Sequence, residues 1–422
     1  MKLPSRLVTS LGLVVASVNL ATVVQAATWN DNVSNSTVLS SRLTAGNDYH
    51  YFVGKSMSVS FYESALVDTL SGGATALPPL FTSASGDPGA CAAGAISNAP
   101  ASTAVIVGTC EDSLEVNQAV KWSVNNLTAP PQQLQPLPLL AGLRLVPDVQ
   151  TEAAAVNLAG VVTGISISPT GEATPVVWSS TGAANSLLPP LLGSVSNCSP
   201  ADISDAATPA IIGNCPAGTG GSGKNRAVLW ANASSGYTVL PVPSGASYCV
   251  ASEINLSGKI LGTCYYVPDT YKTVQWPAGG ASAPTVMLTI NGNTSLRNSG
   301  VAMNASGQIA GNRLKSGGFT TGFFWDPATG TNGIPVPLLA GSARATAKAI
   351  SDNGIIVGCG EVAGVSEAFT YHSSGGTLLA ISPLGAGGND CADAISPNGA
   401  YTAGVSEDAS VSEQDDGVIF NN

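Results

Sequence analysis

The chain repeats one pattern of short strands seven times, and this repeat limits the possible folds more than any other feature. In each unit an apolar strand A ends in Ile, Val or Met, a strand B ends at a glycine, and a strand C carries an aromatic residue near its end. The residues that end strand A are Ile96, Val156, Ile203, Ile254, Met303, Ile350 and Ile395. They recur about every 50 residues, a period typical of the four-stranded blades of β-propellers.

Two further series of residues share this period. The glycines that end strand B are Gly108, Gly164, Gly213, Gly262, Gly311, Gly358 and Gly404. The aromatic residues of strand C are Trp122, Trp178, Trp230, Trp276, Trp325, Tyr371 and Phe420. Because three separate markers keep the same spacing, chance similarity is a poor explanation, and the sequence predicts an all-β fold.

A Leu- and Pro-rich strand D follows strand C, and proline suits an outer strand because it cannot donate to a ladder. One such segment, Leu77–Leu80, precedes repeat unit 1, whereas the last unit stops at Phe420 in strand C. We therefore expect a seven-bladed β-propeller of four-stranded blades, closed by an N-terminal strand that completes the last blade. The expected divisions are a signal peptide over 1–26, a cap or extra strand over 27–76, and a single propeller over 77–422.

The first 26 residues have the features of a secretory signal peptide. Lys2 and Arg6 precede or flank the start of an apolar stretch, Leu7–Val18, and small residues stand before the expected cleavage site near Ala26. Cleavage makes the formal net charge of −11 two units more negative, which argues against nucleic acid or anionic membranes as partners. No other segment is apolar for about 18 residues, so we expect a secreted or periplasmic protein without a membrane span.

All eight cysteines follow the expected cleavage site, as in proteins of oxidising compartments. Three lie five residues before the end of strand A, and three lie two residues after the strand B glycine. Because strands A and B are antiparallel neighbours, these positions predict three disulfides, each worth about 3 kcal/mol. They are Cys91–Cys110, Cys198–Cys215 and Cys249–Cys264. By elimination, we expect Cys359 and Cys391 to join repeat units 6 and 7.

Four carboxylates in strand A are candidates for a ligand-binding or catalytic site at the central channel. They are Glu152, Asp202, Glu253 and Asp393. Carboxylates held close together with shifted pKa values are typical of acid–base chemistry. Solvated strand ends are the simpler interpretation, and we favour it.

A second acidic group lies in the last B–C connection and includes Asp408, Asp415 and Asp416. Carboxylate oxygens suit Ca²⁺, so these residues are candidates for a cation site. Charge runs are more often solvated loops, which is the favoured interpretation. We expect neither a metal nor a cofactor.

The repeat unit has a recognisable motif. Unit 4 contains Ala251-Ser252-Glu253-Ile254-Asn255, then Gly258, and ends strand B at Gly262; unit 6 contains Ala347-Lys348-Ala349-Ile350 and later Ala368-Phe369-Thr370-Tyr371. This pattern resembles the HAF family of extracellular repeats, whose unit runs roughly A-x-x-I-N-x-x-G-x-v-v-G and continues with an Ala-Phe-x-Trp strand. The resemblance covers about residues 77 to 420 and implies a secreted, propeller-like bacterial protein. It brings no catalytic residues.

Two classes of function remain open. The first is a binding or interaction module that presents loops to a protein or glycan at the cell surface, with the chain acting as a monomer. The alternative is a carbohydrate-active hydrolase or lyase with its site at the central channel. The absence of a nucleophile motif in the sequence favours the binding module over the enzyme.

Overall fold

The computed structural model shows a chain that consists mainly of β-strands. The residues it describes are 27–28, 30–31, 38–58, 60–69, 73–138, 146–187, 197–217, 224–294, 297–384, 388–408 and 414–422. The predicted signal peptide lies outside them. Within these ranges the helical elements are short 3-10 turns, at Val124–Asn126 and Pro327–Thr329, and no helix there is long and apolar enough to cross a membrane.

Among the residues described before repeat unit 1 there are six strands. The first two are β1 (Ala27–Thr28) and β2 (Asn30–Asp31). The next four form an antiparallel sheet that we call the N-terminal unit. Its strands are β3 (Val38–Gly46), β4 (Tyr51–Ser58), β5 (Glu63–Thr69) and β6 (Gly73–Ala76).

Repeat units 1 to 4 each form a separate four-stranded antiparallel sheet in the order A–B–C–D. Unit 1 has β7 (Cys91–Ile96), β8 (Val105–Glu111), β9 (Asn117–Ser123) and β10 (Gln132–Gln133). Unit 2 has β11 (Gln150–Val156), β12 (Val162–Ile167), β13 (Ala173–Trp178) and β14 (Ala184–Ser186). Unit 3 has β15 (Ser199–Ile203), β16 (Ile211–Pro216), β17 (Asn225–Trp230) and β18 (Tyr237–Val239). Unit 4 has β19 (Ala246–Ile254), β20 (Ile260–Tyr266), β21 (Thr270–Trp276) and β22 (Thr285–Val286).

Repeat units 5 to 7 have the same core with additional pairings. Unit 5 is preceded by β23 (Thr289–Ile290) and β24 (Asn293–Thr294) and has β25 (Asn298–Met303), β26 (Ile309–Leu314), β27 (Thr320–Trp325) and β28 (Asn332–Pro335). Unit 6 has β29 (Ser342–Ile350), β30 (Ile355–Val362), β31 (Val365–His372) and β32 (Thr377–Ser382). Unit 7 has β33 (Asp390–Ile395), β34 (Tyr401–Asp408) and β35 (Gln414–Asn421). β23 runs parallel to β28, and β1 runs parallel to β32.

The predicted β-propeller of four-stranded blades is confirmed, and each of the seven repeat units supplies one blade. An N-terminal strand completes the last blade, but it is not the predicted segment. β2 pairs antiparallel with β35, with Asn30 opposite Ile419. The segment Leu77–Leu80 instead ends the N-terminal unit, where the backbone N–H of Leu77 donates to Ala65 O over 2.8 Å.

Residues 27–76 therefore form neither a cap nor a lone extra strand. The N-terminal unit has its strands in the same order as the repeat units and stands between units 7 and 1 as an eighth four-stranded unit. The turn between its strands A and B is hydrogen-bonded to unit 1 and to unit 7. The backbone N–H of Asp48 donates to Asn98 Oδ1 over 2.9 Å, and Asp48 Oδ1 accepts from the backbone N–H of Asn398 over 2.6 Å.

The strand B glycine does not end its strand as expected, since Gly108 lies within β8, and a bulge in the facing strand A explains why a glycine recurs at this place. In unit 1 the register shifts after Ala93, which stands opposite Gly108. A Cβ atom on Gly108 would lie 2.0 Å from Ala92 O, far inside a normal contact distance. Gly54 has the same role in the N-terminal unit, where a Cβ would lie 1.8 Å from Arg42 O. The eighth unit thus shares the backbone geometry of the repeat.

The strand C tryptophans pack the blades against one another. Trp122, Trp178 and Trp276 are buried, and each indole N–H donates to a carbonyl at the end of the preceding unit. The acceptors are Pro78 O, Gln135 O and Pro241 O, at 2.8 to 2.9 Å. Each tryptophan therefore fills the core and also satisfies its one polar group.

The structure contains the four predicted disulfides. Three of them join strands A and B within a blade: Cys91–Cys110, Cys198–Cys215 and Cys249–Cys264. The fourth, Cys359–Cys391, joins unit 6 to unit 7 across a Cα–Cα distance of 4.9 Å. Four disulfides indicate an oxidising compartment, either extracellular or periplasmic.

Candidate functional site

Two of the four predicted channel carboxylates lie on neighbouring inner strands. Asp202 stands next to the end of strand A in unit 3, and Glu253 has the equivalent place in unit 4. Asp202 Oδ2 accepts from the backbone N–H of Ile254 over 2.8 Å, and Glu253 Oε2 accepts from the backbone N–H of Met303 over 2.7 Å. Each carboxylate therefore links its own inner strand to that of the next blade.

The surroundings of these two groups change their affinity for protons. Burial raises the pKa of Asp202 to about 7. Burial, together with the negative charge of Asp202, raises the pKa of Glu253 to about 8. Both groups therefore exchange protons near neutral pH, which is a property shared by catalytic acids and by pH-sensitive structural contacts.

The raised pKa values predict that stability depends on pH. Below about pH 3, both groups are protonated in the folded and the unfolded chain. As the pH rises toward 8, ionisation is easier in the unfolded chain, so the free energy of unfolding falls and the loss is complete above the folded-state pKa values. In the double variant Asp202→Asn/Glu253→Gln we expect a smaller fall, measured by urea unfolding at about pH 5 and about pH 8.5.

Glu115→Gln is the matched control because Glu115 is an exposed carboxylate on the B–C turn of unit 1. Its stability should follow that of the unaltered protein at both pH values. Parallel pH dependence in the double variant and the unaltered protein would show that Asp202 and Glu253 ionise as freely in the fold as in the unfolded chain.

The other two predicted channel carboxylates lie elsewhere. Glu152 Oε1 accepts from Gln150 Nε2 over 3.0 Å within its own strand. Asp393 forms a bidentate ion pair with Arg42 of the N-terminal unit, with N–O distances of 2.7 and 2.8 Å. The Asp393 side chain is only 8% exposed, so this pair fixes the junction between unit 7 and the N-terminal unit.

The acidic residues of the last B–C connection do not converge on one site. Asp415 and Asp416 are consecutive in β35, so their side chains point to opposite faces of the sheet. Asp415 faces Glu407 across the ladder, and burial together with that charge raises the pKa of Asp415. The Asp408 side chain lies outside the described residues, and nowhere in the described ranges do three Asp, Glu, His or Cys side chains gather as a metal site would require.

A surface that the sequence analysis did not identify covers the B–C ends of units 3 to 5. We call it the basic sector, and its cations are Lys224, Arg226, Lys272, Arg297, Arg313 and Lys315. The protein has 15 Lys and Arg residues against 26 Asp and Glu, so six cations at the B–C ends of three consecutive units mark a separation of charge along the chain. The signal was present in the sequence, because only Glu253 and Asp269 are acidic between residues 224 and 315.

A row of three tyrosines crosses the basic sector in unit 4. Tyr248, Tyr265 and Tyr271 are partners on three adjacent strands. The rings of Tyr248 and Tyr265 are stacked with centroids 4.6 Å apart, and the centroids of Tyr265 and Tyr271 are 6.1 Å apart. Lys224 Nζ lies 5.7 Å from the Tyr248 centroid, and the backbone of Tyr271 forms a bridge with that of Arg297. The row thus connects cations of unit 3 to cations of unit 5.

The tyrosine row is suited to anionic groups. Tyr248 and Tyr265 cover one face of each other's ring. Their ring edges and hydroxyl groups are available to a ligand, and the edge of an aromatic ring is electropositive. Burial, with Tyr248 and Tyr271 beside it, raises the pKa of Tyr265. Its hydroxyl group therefore stays protonated and can donate a hydrogen bond.

A disulfide holds the tyrosine row in place. Cys249 directly follows Tyr248, Cys264 directly precedes Tyr265, and the two cysteines are bonded across a Cα–Cα distance of 4.0 Å. Strands β19 and β20 are therefore covalently joined beside the row. A surface that is fixed before binding loses less conformational entropy when a partner docks.

No family model and no curated protein matches this sequence. Among solved structures the chain is similar to the Dos1 propeller, at 9% identity and a TM-score of 0.55, with 94% of each chain covered. It is also similar to a chain from a study of two prolyl endopeptidases, at 10% identity and a TM-score of 0.50, over 75% of this chain and 48% of that chain. The β-propeller domain of the Trilobed protease from Pyrococcus furiosus aligns at 8% identity and a TM-score of 0.47, over 75% and 92% of the two chains. At such low identity, the likeness to the Dos1 propeller supports the β-propeller fold alone.

Proposed function

We propose that this protein is a binding module that works outside the cytoplasm and docks an anionic partner on its basic sector. The observation that carries the proposal is the row formed by Lys224 and the three tyrosines, which reaches the edge of unit 5 through the backbone bridge between Tyr271 and Arg297. The rest of the protein is acidic, with a formal net charge of −11 overall. A local basic surface on an acidic protein steers a partner of opposite charge to one place.

The chemistry of the basic sector agrees with a binding role. Tyrosine and arginine are the residue types that contribute most to binding surfaces, because each offers a large contact area together with a polar group. The scaffold adds rigidity, since short strands and a disulfide support the row. The resemblance of the repeat to HAF repeats adds a second proposal, that the protein is a secreted bacterial member of that group.

The alternative function is a hydrolase or lyase acting on a carbohydrate at the central channel. The raised pKa values of Asp202 and Glu253 favour it. Against it, each carboxylate has an oxygen committed to a backbone N–H of the next inner strand. These bonds support a structural role, so we rank the binding module first.

Binding of a defined polyanion tests the proposed function. We expect the protein to bind poly-glutamate at low ionic strength and to lose affinity as salt is added, because exposed charges are screened. Lys224→Glu should weaken binding by about fivefold or more, since it reverses the charge beside Tyr248 in the tyrosine row. Biolayer interferometry at two salt concentrations gives both readouts.

Lys55→Glu is the matched control, because Lys55 is an exposed cation of the N-terminal unit outside the basic sector. It changes the net charge by the same amount and should have little effect on binding. Equal weakening by Lys55→Glu would show that only net charge matters, and no binding of any polyanion would contradict the proposed function itself.

A further inference from the structure

A cavity of the basic sector lies between units 4 and 5. Its volume is about 680 Å³, and its walls come from the B–C turn of unit 4, from Thr294 and Arg297, and from the end of β26. The polar side chains that matter below are those of Asp269, Thr270, Arg297, Arg313 and Lys315. A cavity of this volume fits a ligand the size of one or two sugar rings rather than a single small ion.

Arg313 is a cation in this wall that has no anionic partner among the described residues. Its Nε donates to Thr321 Oγ1 over 3.0 Å, and within the described part of the chain its two terminal nitrogens have neither a hydrogen bond nor an ion pair. Partial burial lowers the pKa of the Arg313 guanidinium, which reports incomplete solvation of its charge. A cation in this state gains from an anion that enters the cavity, because a bound carboxylate replaces the water it has lost.

The opposite side of the cavity is already neutralised. Arg297 forms an ion pair with Asp269 and also donates from Nε to the backbone carbonyl of Asp269 over 3.0 Å. This pair leaves carboxylate lone pairs of Asp269 as acceptors for hydroxyl groups. Lys315 Nζ, like the Arg313 tips, has no ion-pair partner among the described residues, so positive charge is concentrated on one side of the cavity.

The remaining walls combine hydroxyl groups with small apolar surfaces. Thr270, Thr294 and Ser316 supply hydroxyl groups, while Pro268 and Leu314 supply apolar contact. A ligand that matches the cations, the hydroxyl groups and the apolar surfaces of the cavity has a carboxylate at one end, several hydroxyl groups, and a ring with C–H faces. That combination describes an acidic sugar, whereas an acidic peptide side chain would leave the hydroxyl-lined walls unmatched.

We propose that the cavity between units 4 and 5 binds an acidic sugar residue, with its carboxylate on Arg313 and Lys315. The sugar is a free uronic acid or a unit of an acidic polysaccharide. This inference rests on the proposed function, because it names the anionic partner that the basic sector receives. It assigns the tyrosine row a second role as the path along which a longer polysaccharide continues toward unit 3.

Calorimetric titration with trigalacturonate tests the proposal, with trigalactose as the neutral counterpart and galacturonate as the single unit. Arg313→Gln should weaken trigalacturonate binding by at least tenfold and leave poly-glutamate binding within about twofold of the unaltered protein. Arg313→Lys should give an intermediate loss, because it keeps the charge but not the planar pair of donors. Comparison of galacturonate with trigalacturonate shows whether one unit or a polymer is required.

Arg226→Gln is the control, because Arg226 belongs to the basic sector but lies outside this cavity. Arg226→Gln should weaken the binding of trigalacturonate and of poly-glutamate by a similar small factor. Near-UV circular dichroism of each variant establishes that the fold is retained. Should Arg313→Gln leave trigalacturonate binding intact, or should trigalactose bind as well as trigalacturonate, the acidic-sugar site is overturned while the proposed function survives.

Two further results are also decisive. Competition in which hexaglutamate displaces trigalacturonate at lower concentration, with Arg313→Gln weakening hexaglutamate more, would make an acidic peptide the ligand and overturn the sugar. Failure of every polyanion to bind would remove both the site and the proposed function.

Discussion

A chain that lacks residues 27–76 is expected to lose cooperative folding. The N-terminal unit covers apolar surfaces of both its neighbours in the ring. On one side, Val53 and Val67 pack in the same buried cluster as Ile106 of unit 1. On the other side, Phe52 packs in a cluster with Ile419 of unit 7. Removing the unit therefore exposes the cores of two blades and deletes the strand that completes unit 7.

The size of this effect follows from the number of buried side chains. Each fully buried apolar side chain contributes about 1.5 to 3 kcal/mol, and the N-terminal unit buries Leu43, Phe52, Val53 and Val67 completely. The summed loss reaches the range of about 5 to 15 kcal/mol that measures the whole stability of a domain. Loss of the near-UV circular dichroism signal and of a sharp thermal transition would verify it.

A point substitution gives a graded version of the same experiment. Phe52→Ala in the full chain should lower the free energy of unfolding by about 3 to 5 kcal/mol. Phe61→Ala is the control, because the Phe61 side chain belongs to the same unit and is 76% exposed. If residues 77–422 alone unfold cooperatively at the temperature of the full chain, the seven repeat units close a ring without the eighth.

The sequence could predict those features that local geometry fixes in every unit. The strand B glycine recurs because a bulge places a carbonyl against it, and the cysteine pairs recur because facing positions in a hairpin have fixed offsets. These constraints act within about 20 residues of chain. The seven repeat units and the three disulfides within hairpins were therefore predictable from spacing, whereas Cys359–Cys391, which joins two units, was assigned by elimination.

The N-terminal unit was not recognised because other residue types stand at two of its three marker positions. Gly46 stands at the end of its strand A, where other units have Ile, Val or Met, and the Phe52 ring lies where a Cβ on Gly46 would be. Asp68 stands opposite Phe52, at the place of the strand C tryptophan. Only Gly54 keeps the pattern. The N-terminal unit buries apolar side chains as the other units do, but with different residue types at the marker positions. A search for regularly spaced residue types therefore does not find it.

The candidate site was less predictable than the fold, for a different reason. The basic sector gathers residues from three blades, and only the ring brings Lys224, Tyr248 and Arg313 to one face. The charge imbalance over residues 224–315 was visible in the sequence, but its meaning depends on which strand ends share a face. Likewise, the sequence placed Asp202 and Glu253 near the channel, whereas their bonds to the next inner strand depend on the register between blades.

Gly108→Ala is expected to destabilise the protein by about 3 kcal/mol or more. The added Cβ would lie 2.0 Å from Ala92 O and 2.9 Å from the Cα of Ala93. Both obstacles are backbone atoms of strand A, so no side chain can rotate away to relieve the clash. Overpacking in a rigid setting costs about 1 to 3 kcal/mol, and more where the backbone itself must shift. Urea unfolding measures the change through its midpoint.

Gly94→Ala in the facing strand should have the opposite sign. Gly94 is the bulged residue itself, is exposed, has no left-handed φ, and has nothing within 4 Å of where a Cβ would be. Replacing it reduces the freedom of the unfolded chain and should stabilise the protein by about 0.4 to 1 kcal/mol. Because the two glycines lie in one hairpin of unit 1, general intolerance of this sheet to substitution would destabilise both variants. A Gly108→Ala variant as stable as the unaltered protein would mean that the bulge is able to open, and a steric clash with strand A would then not account for the repeated glycine in any blade.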